Sequence, residues 1–231
     1  MEHRWYVTWL VISVTILFMC WLFSDRVLEI SHERFPIKQV EVFGNLHFTH
    51  QYKVEDSINS LLNRGFFLVD IVKVKQNLLT LPWVSDVVVQ RKWPDRLMIT
   101  LVEHSPLAIW NDTAIITRKN TVIYPDQLPY GNKLPKFFSA QQAINCMLDT
   151  YLAVMLKVTP LGLSVANLKQ MQDNGLRAEL SNGIEIILGE DDFSIKLSRF
   201  GLAYKNVIKL VETKVAYVDL RYINGIAVGW R

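Results

Sequence analysis

The chain has 231 residues, of which 50% are hydrophobic and 20% charged, with a formal net charge of +3. So mild a charge, with dispersed Lys and Arg and no basic stripe interleaved with aromatics, gives no ground for nucleic-acid binding. The two cysteines, Cys20 and Cys146, exclude a disulfide-stapled scaffold or a thiolate metal cluster, so folding rests on one or two apolar cores.

Residues 5–24, WYVTWLVISVTILFMCWLFS, carry no formal charge. A helix rising about 1.5 Å per residue would take them across roughly 30 Å of hydrocarbon. Trp5, Tyr6 and Trp9 fall near one end and Trp21 near the other, where amphipathic rings favour the headgroup level. The segment reads as a retained single transmembrane helix in a lipid bilayer, preceded by a leader of residues 1–4. A cleaved signal peptide would be shorter and end in small residues, whereas this stretch ends in Cys20, Trp21, Leu22 and Phe23. Met19 before Cys20 argues likewise against lipid modification. Charge leaves the orientation open: Arg4 precedes the span, while Arg26, Arg34 and Lys38 follow it and mildly favour an external N-terminus.

Residues 25–35 are polar enough to be a tether, and residues 36–104 form a first module. Ile37, Val40, Val42 and Phe43 predict a strand closed by Gly44-Asn45. After Thr49, the spacing of Val54, Ile58, Leu61 and Leu62 predicts a helix that Gly65 ends. Asp70 is placed to cap a second helix with Ile71, Val74, Leu78 and Leu79 facing inward, stopped before Pro82. Val84 to Arg91 and Leu97 to Val102 alternate on either side of Trp93-Pro94-Asp95 and predict a hairpin. The order strand, helix, helix, strand, strand suits a small sheet covered on one face by two helices. Arg91, Lys92 and Arg96 read as a solvated charged face.

The second module, residues 105–231, starts with weak strand signals at Ala108–Trp110, Ala114–Ile116 and Thr121–Tyr124. A loop runs to Pro135. Ser139 with Gln142 makes a capping box for a helix whose stripe is Ile144, Met147, Tyr151 and Met155. Leu176, Ala178 and Leu180 alternate up to Asn182-Gly183, and Ile184, Ile186 and Leu188 alternate away from it, which predicts a tight hairpin with positive φ at both turn residues. Asp191 or Asp192 caps a further helix bearing Phe193, Leu197, Phe200, Tyr204, Ile208 and Val211. Tyr217–Ile223 and Ile226–Trp230 then flank Asn224-Gly225 in a second such hairpin. If its last strand is an edge, its free backbone groups are a template for a partner's strand. Gly229 would then let another backbone approach, and Trp230 would anchor it. A central strand with ordinary core aromatics fits the pattern equally well.

No catalytic constellation emerges, and the chain is expected not to be an enzyme and to need no cofactor or small-molecule substrate. His47 and His50 have chelating spacing without a third ligand, and His104 ends a strand where a surface or junction role outweighs base chemistry. Asp191 and Asp192 are adjacent and point apart on a helix. Asn111-Asp112-Thr113 matches the glycosylation sequon, a pattern common by chance. There is no nucleophile elbow, phosphate loop or dinucleotide fingerprint.

Three segments carry a resemblance: Leu81–Asn111 (LPWVSDVVVQRKWPDRLMITLVEHSPLAIWN), Asn182–Gly189 (NGIEIILG) and Tyr217–Trp230 (YVDLRYINGIAVGW). They resemble the FtsQ/DivIB family of bacterial cell-division proteins, in its Gram-negative form. The resemblance implies an α+β chain in which the single N-terminal span precedes a POTRA-like β-α-α-β-β domain and an antiparallel β domain with helices. It implies a cytoplasmic N-terminus, a periplasmic bulk and a place in the bacterial inner membrane at the division septum. It further implies a non-enzymatic scaffold that binds FtsB and FtsL, meets other divisome proteins near the membrane, and helps recruit and regulate the septal peptidoglycan synthase. The partner's strand would add to the last strand, with Tyr222, Asn224, Gly225, Ile226, Gly229 and Trp230 in the contact. Glu190 stands where the family has a basic residue after Leu-Gly, and Arg199, further along the helix, offers a substitute cation. The different-class alternative is a POTRA-type chaperone or assembly factor of envelope biogenesis.

Overall fold

The computed structural model describes residues 9–10, 12–19, 35–128, 134–139, 144–172, 175–189 and 193–231. Residues 9–10 and 12–19 are helical, and the rest of the expected 5–24 span lies outside the described residues, as does most of the tether. No described helix is long and apolar enough to cross a membrane. The chain divides into two compact units, Met1–His104 and Ser105–Arg231.

In the first unit the order is β1 (Gln39–Phe43), α1 (Gln51–Leu62), a one-turn α2 (Gly65–Leu68), α3 (Ile71–Leu79), β2 (Val84–Lys92) and β3 (Arg96–Glu103). The strands lie β1-β3-β2, with β1 parallel to β3 and β2 antiparallel to it. The helical connection brings β2 back antiparallel to β1, and the short turn reverses the chain again, so β3 runs parallel to β1. Val54 and Ile58 of α1, Val74 and Leu78 of α3, and Val87, Leu97, Ile99 and Leu101 of the sheet form the buried core. Each such side chain contributes about 1.5–3 kcal/mol of transfer free energy. Asp70 caps α3 through the amides of Val72 and Lys73, both at 3.1 Å. Two details differ from expectation. Gly65, at φ +77°, starts α2 after α1 has ended, and Leu79 is exposed because it lies a quarter turn beyond the Val74–Leu78 line.

The segment His47–His50 belongs to a backbone device that the sequence did not suggest. The Glu103 carboxylate accepts from the amides of His47 (2.7 Å), Phe48 (3.1 Å) and Thr49 (2.6 Å) just ahead of α1. It fastens the end of β3 to the entrance of the first helix, and three charge-assisted bonds make that attachment strong. His50 stacks on Tyr52. On the expected charged face, Arg96 (2.9 Å) and Lys92 (3.9 Å) pair with Glu41, and Arg91 donates to the Val69 carbonyl at 2.6 Å.

The second unit runs β4 (Pro106–Trp110), β5 (Ala114–Thr117), β6 (Val122–Ile123), β7 (Lys136–Phe138), α4 (Ile144–Val158), β8 (Val165–Gln170), β9 (Leu176–Leu180), β10 (Glu185–Gly189), α5 (Phe193–Asn206), β11 (Val215–Asp219) and β12 (Ala227–Trp230). Its described strands form one sheet in the order β12-β11-β10-β9-β8-β7-β4-β5-β6. The expected antiparallel sheet is in fact mixed: β4–β7, β7–β8 and β10–β11 are parallel. A helix joining two adjacent strands returns the chain to the starting end, so α4 forces β7 and β8 parallel and α5 does the same for β10 and β11.

Strands β7 and β8 had no sequence signal. β7 is only three residues long, although its Phe137 is fully buried. In β8 a register shift between Val165 and Asn167 puts the buried Val165 and Leu168 three apart, which hides the two-residue period. The inward face of α4 is Met147, Leu148, Thr150, Val154 and Val158, while Ile144, Tyr151 and Met155 are half-buried at its margin. On α5, Leu197, Phe200 and Tyr204 enter the core with Ile208 from the following turn. Gln142, Glu190, Asp191 and Asp192, with the capping and charge roles expected of them, lie outside the described residues.

Candidate functional site

Among the described strands β12 is the outermost of the sheet, paired on one side only, antiparallel to β11. Of the two placements open from sequence, it occupies the edge. Ile226 and Val228 pack against the core and so fix which face of the strand turns inward. Gly229 stands opposite Tyr217, and a Cβ there would lie 2.1 Å from the Tyr217 ring. The close approach that Gly229 permits is therefore that of the ring on the neighbouring strand, which covers the glycine and stiffens the edge. Trp230 is exposed at the strand end.

Asn224-Gly225 does not form the expected two-residue turn. Asp219 is the last partner of Ala227, so residues 220–226 make a wide loop, and neither Asn224 nor Gly225 has a positive φ. This loop is held by charge at its base and at its tip. Asp219, 5% exposed, accepts from the backbone amide of Arg221 (2.9 Å), from its Nε (3.1 Å) and from its Nη2 (2.7 Å). These bonds, opposed by burial, hold the Asp219 carboxyl below its ordinary range. At the tip, Arg199 Nη1 on α5 donates to the carbonyls of Tyr222 and Gly225, each at 3.0 Å. Through Nη1 that guanidinium is engaged within its own chain.

Of the six residues expected at the site, the loop and strand carry all: Tyr222, Asn224 and Trp230 exposed, Gly225, Ile226 and Gly229 half-buried. Residues Arg221–Ala227 line an open hollow of about 640 Å³. Ile223, at 85% exposure the most exposed large apolar side chain near it, was not singled out from sequence, nor were Asp219 and Tyr217. An Asp two residues before an Arg at a strand end is the turn-forming pattern that could have pointed to Asp219. Among the described residues no group of three or more His, Cys, Asp or Glu could hold a metal.

Comparison with known proteins bears on the same segments. Residues 35–104 match the FtsQ-type POTRA domain, and residues 108–221 match the C-terminal region of the cell division protein FtsQ/DivIB. Cell division protein FtsQ of Shewanella oneidensis is 34% identical over 197 residues, covering 84% of this chain and 74% of the relative. The chain belongs to the FtsQ/DivIB family. FtsQ of Vibrio cholerae serotype O1 is 30% identical over 199 residues, covering 86% of this chain and 76% of the relative. FtsQ of Escherichia coli K12 is 28% identical over 227 residues, covering 96% and 82%. The first unit thus contains a POTRA domain and the second an FtsQ/DivIB C-terminal domain, and the family is one of non-enzymatic scaffolds. The matched C-terminal region stops at Arg221, so the loop tip and β12 lie just beyond it.

Proposed function

We propose that this protein is a divisome scaffold anchored in the inner membrane through residues 5–24, with a cytoplasmic N-terminus and a periplasmic bulk, that acts at the division septum. Its second unit takes up a strand from an FtsB–FtsL-type partner along the outer side of β12, and the assembly helps recruit and regulate septal peptidoglycan synthesis. The observation that carries the reading is the edge position of β12, one-sided in its pairing and flanked by exposed Tyr222 and Trp230. An edge strand supplies affinity through main-chain hydrogen bonds, and aromatic side chains beside it supply the anchor. Family membership supports the setting in cell division.

The test uses the full-length chain in lipid nanodiscs and the periplasmic part of the FtsB–FtsL pair from the same genome. Tyr222→Ala and Trp230→Ala are each expected to weaken binding by about 2 kcal/mol, as loss of an interface anchor does. Undiminished binding by both variants would remove the docking site from this edge. A tagged chain that fails to gather at mid-cell would remove the division role.

A further inference from the structure

We infer that Arg199 is a positioning residue for the terminal edge: it pins residues 220–226 in the shape that receives the partner and does not meet the partner's charge itself. The inference rests on the reading of β12 as the docking edge. A guanidinium Nη1 carries two hydrogens, and here the nitrogen donates to two carbonyls, those of Tyr222 and Gly225, each at 3.0 Å. These carbonyls bracket Ile223 and Asn224, so one nitrogen ties together the two sides of the loop tip. Its neighbours on α5, Leu197 and Phe200, are fully buried. The loop tip is therefore referenced to the core of the domain as well as to its own two strands.

The base of the loop is fixed separately, by Asp219 on Arg221 and by the Leu220 amide on the Ile187 carbonyl at 2.8 Å. With base and tip both held, Tyr222 and Ile223 point their apolar surface into solvent at 58% and 85% exposure, a costly presentation that a free loop would escape by folding inward. Asn224-Gly225 by itself favours a tight turn. The pin holds the wider course, whose residues Arg221–Ala227 line the hollow. If the pin is lost, a partner must select the fraction of loops in the receptive shape, and its apparent affinity falls by that fraction.

The experiment compares Arg199→Lys and Arg199→Gln in the full-length chain in nanodiscs. Amide exchange is read in the unbound chain, and binding of the FtsB–FtsL periplasmic segment is measured across a range of salt. A positioning role predicts faster exchange in residues 220–226 for both variants, with α5 and β9 unchanged. It also predicts binding weakened by about tenfold or more in both, with the salt dependence of the wild type, because an ammonium cannot reproduce the guanidinium fork. Full rescue by Arg199→Lys, with a lowered salt dependence for Arg199→Gln, would assign Arg199 to the partner's charge and overturn the inference. Unchanged loop exchange in both variants would overturn it as well. Tyr222→Ala and Trp230→Ala in the same assay separate the two claims: if both variants bind normally the docking-edge reading fails, whereas the exchange of the unbound loop reports on the pin alone.

Discussion

The second unit contains the same dipeptide in two similar settings, and the two fold differently. At Asn182-Gly183 the strands β9 and β10 close at once: the Gly183 amide donates to the Leu180 carbonyl at 2.9 Å and the Leu180 amide to the Ile184 carbonyl at 2.9 Å. Gly183 takes φ +79° and Asn182 keeps a negative φ, which is a three-residue loop with a glycine in the left-handed region, not the two-residue turn expected. At Asn224-Gly225 the strands stop pairing well before the dipeptide, and the loop takes its course from Asp219 and Arg199. The first turn is written in its own residues. The second is imposed by two ionic groups, one of them on a helix some twenty residues upstream.

The largest expected effect falls on the imposed loop. Asp219→Ala removes the acceptor of several charge-assisted bonds and leaves the Arg221 guanidinium without it, so unfolding in urea should show a loss of about 2 kcal/mol. A loss under about 0.5 kcal/mol would mean that the loop does not depend on its base.

Acidification should loosen the same loop without mutation. The folded pKa of Asp219 lies below its ordinary 3.8, chiefly through hydrogen bonds from Arg221. Its stabilisation is therefore complete above about pH 4 and lost as pH falls through the folded value. Exchange of the amides in residues 220–226, corrected for intrinsic rates, should rise below pH 4 in the wild type. In Asp219→Asn it should already be high at pH 6.

The self-determined turn is sensitive at its glycine. Gly183→Ala places a side chain at φ +79° and should cost about 1–2 kcal/mol in urea unfolding. Gly225→Ala is expected to change stability by less than about 0.5 kcal/mol, because a Cβ at that position meets nothing within 4 Å and the φ is ordinary. Equal costs at the two glycines would show that the loops are held in the same way after all.

Much of the fold was legible. The strand-helix-helix-strand-strand order of the first unit followed from periodicity, and Asp70 caps α3 as its position suggested. In the second unit the alternation of Leu176–Leu180 and Ile184–Leu188 gave a hairpin correctly, since each strand shows one face to the core. What escaped was β7, too short for a period, and β8, whose register shift disguises one. At the candidate site Trp230 is read as an anchor from its place in the last strand, whereas Tyr222 is expected there only through the family resemblance. Arg199 and Asp219 gained their roles only by proximity in space. The Glu103 carboxylate is a parallel instance in the first unit, gathering amides more than fifty residues away in the chain.

By itself the sequence determined the elements: which residues alternate, which recur at helical spacing, where caps and glycines end a run, and hence an α+β chain in two modules. Those are properties of neighbouring residues, and the physics that fixes them is the pleat, the helical turn and the local hydrogen bond. Only the tertiary structure decided the sheet order, the parallel pairs that α4 and α5 impose, the edge position of β12 and the open course of the loop before it. These depend on which distant groups meet. A single guanidinium or carboxylate in the right place can outweigh a local turn preference, since each charge-assisted bond contributes about 1.5–3 kcal/mol.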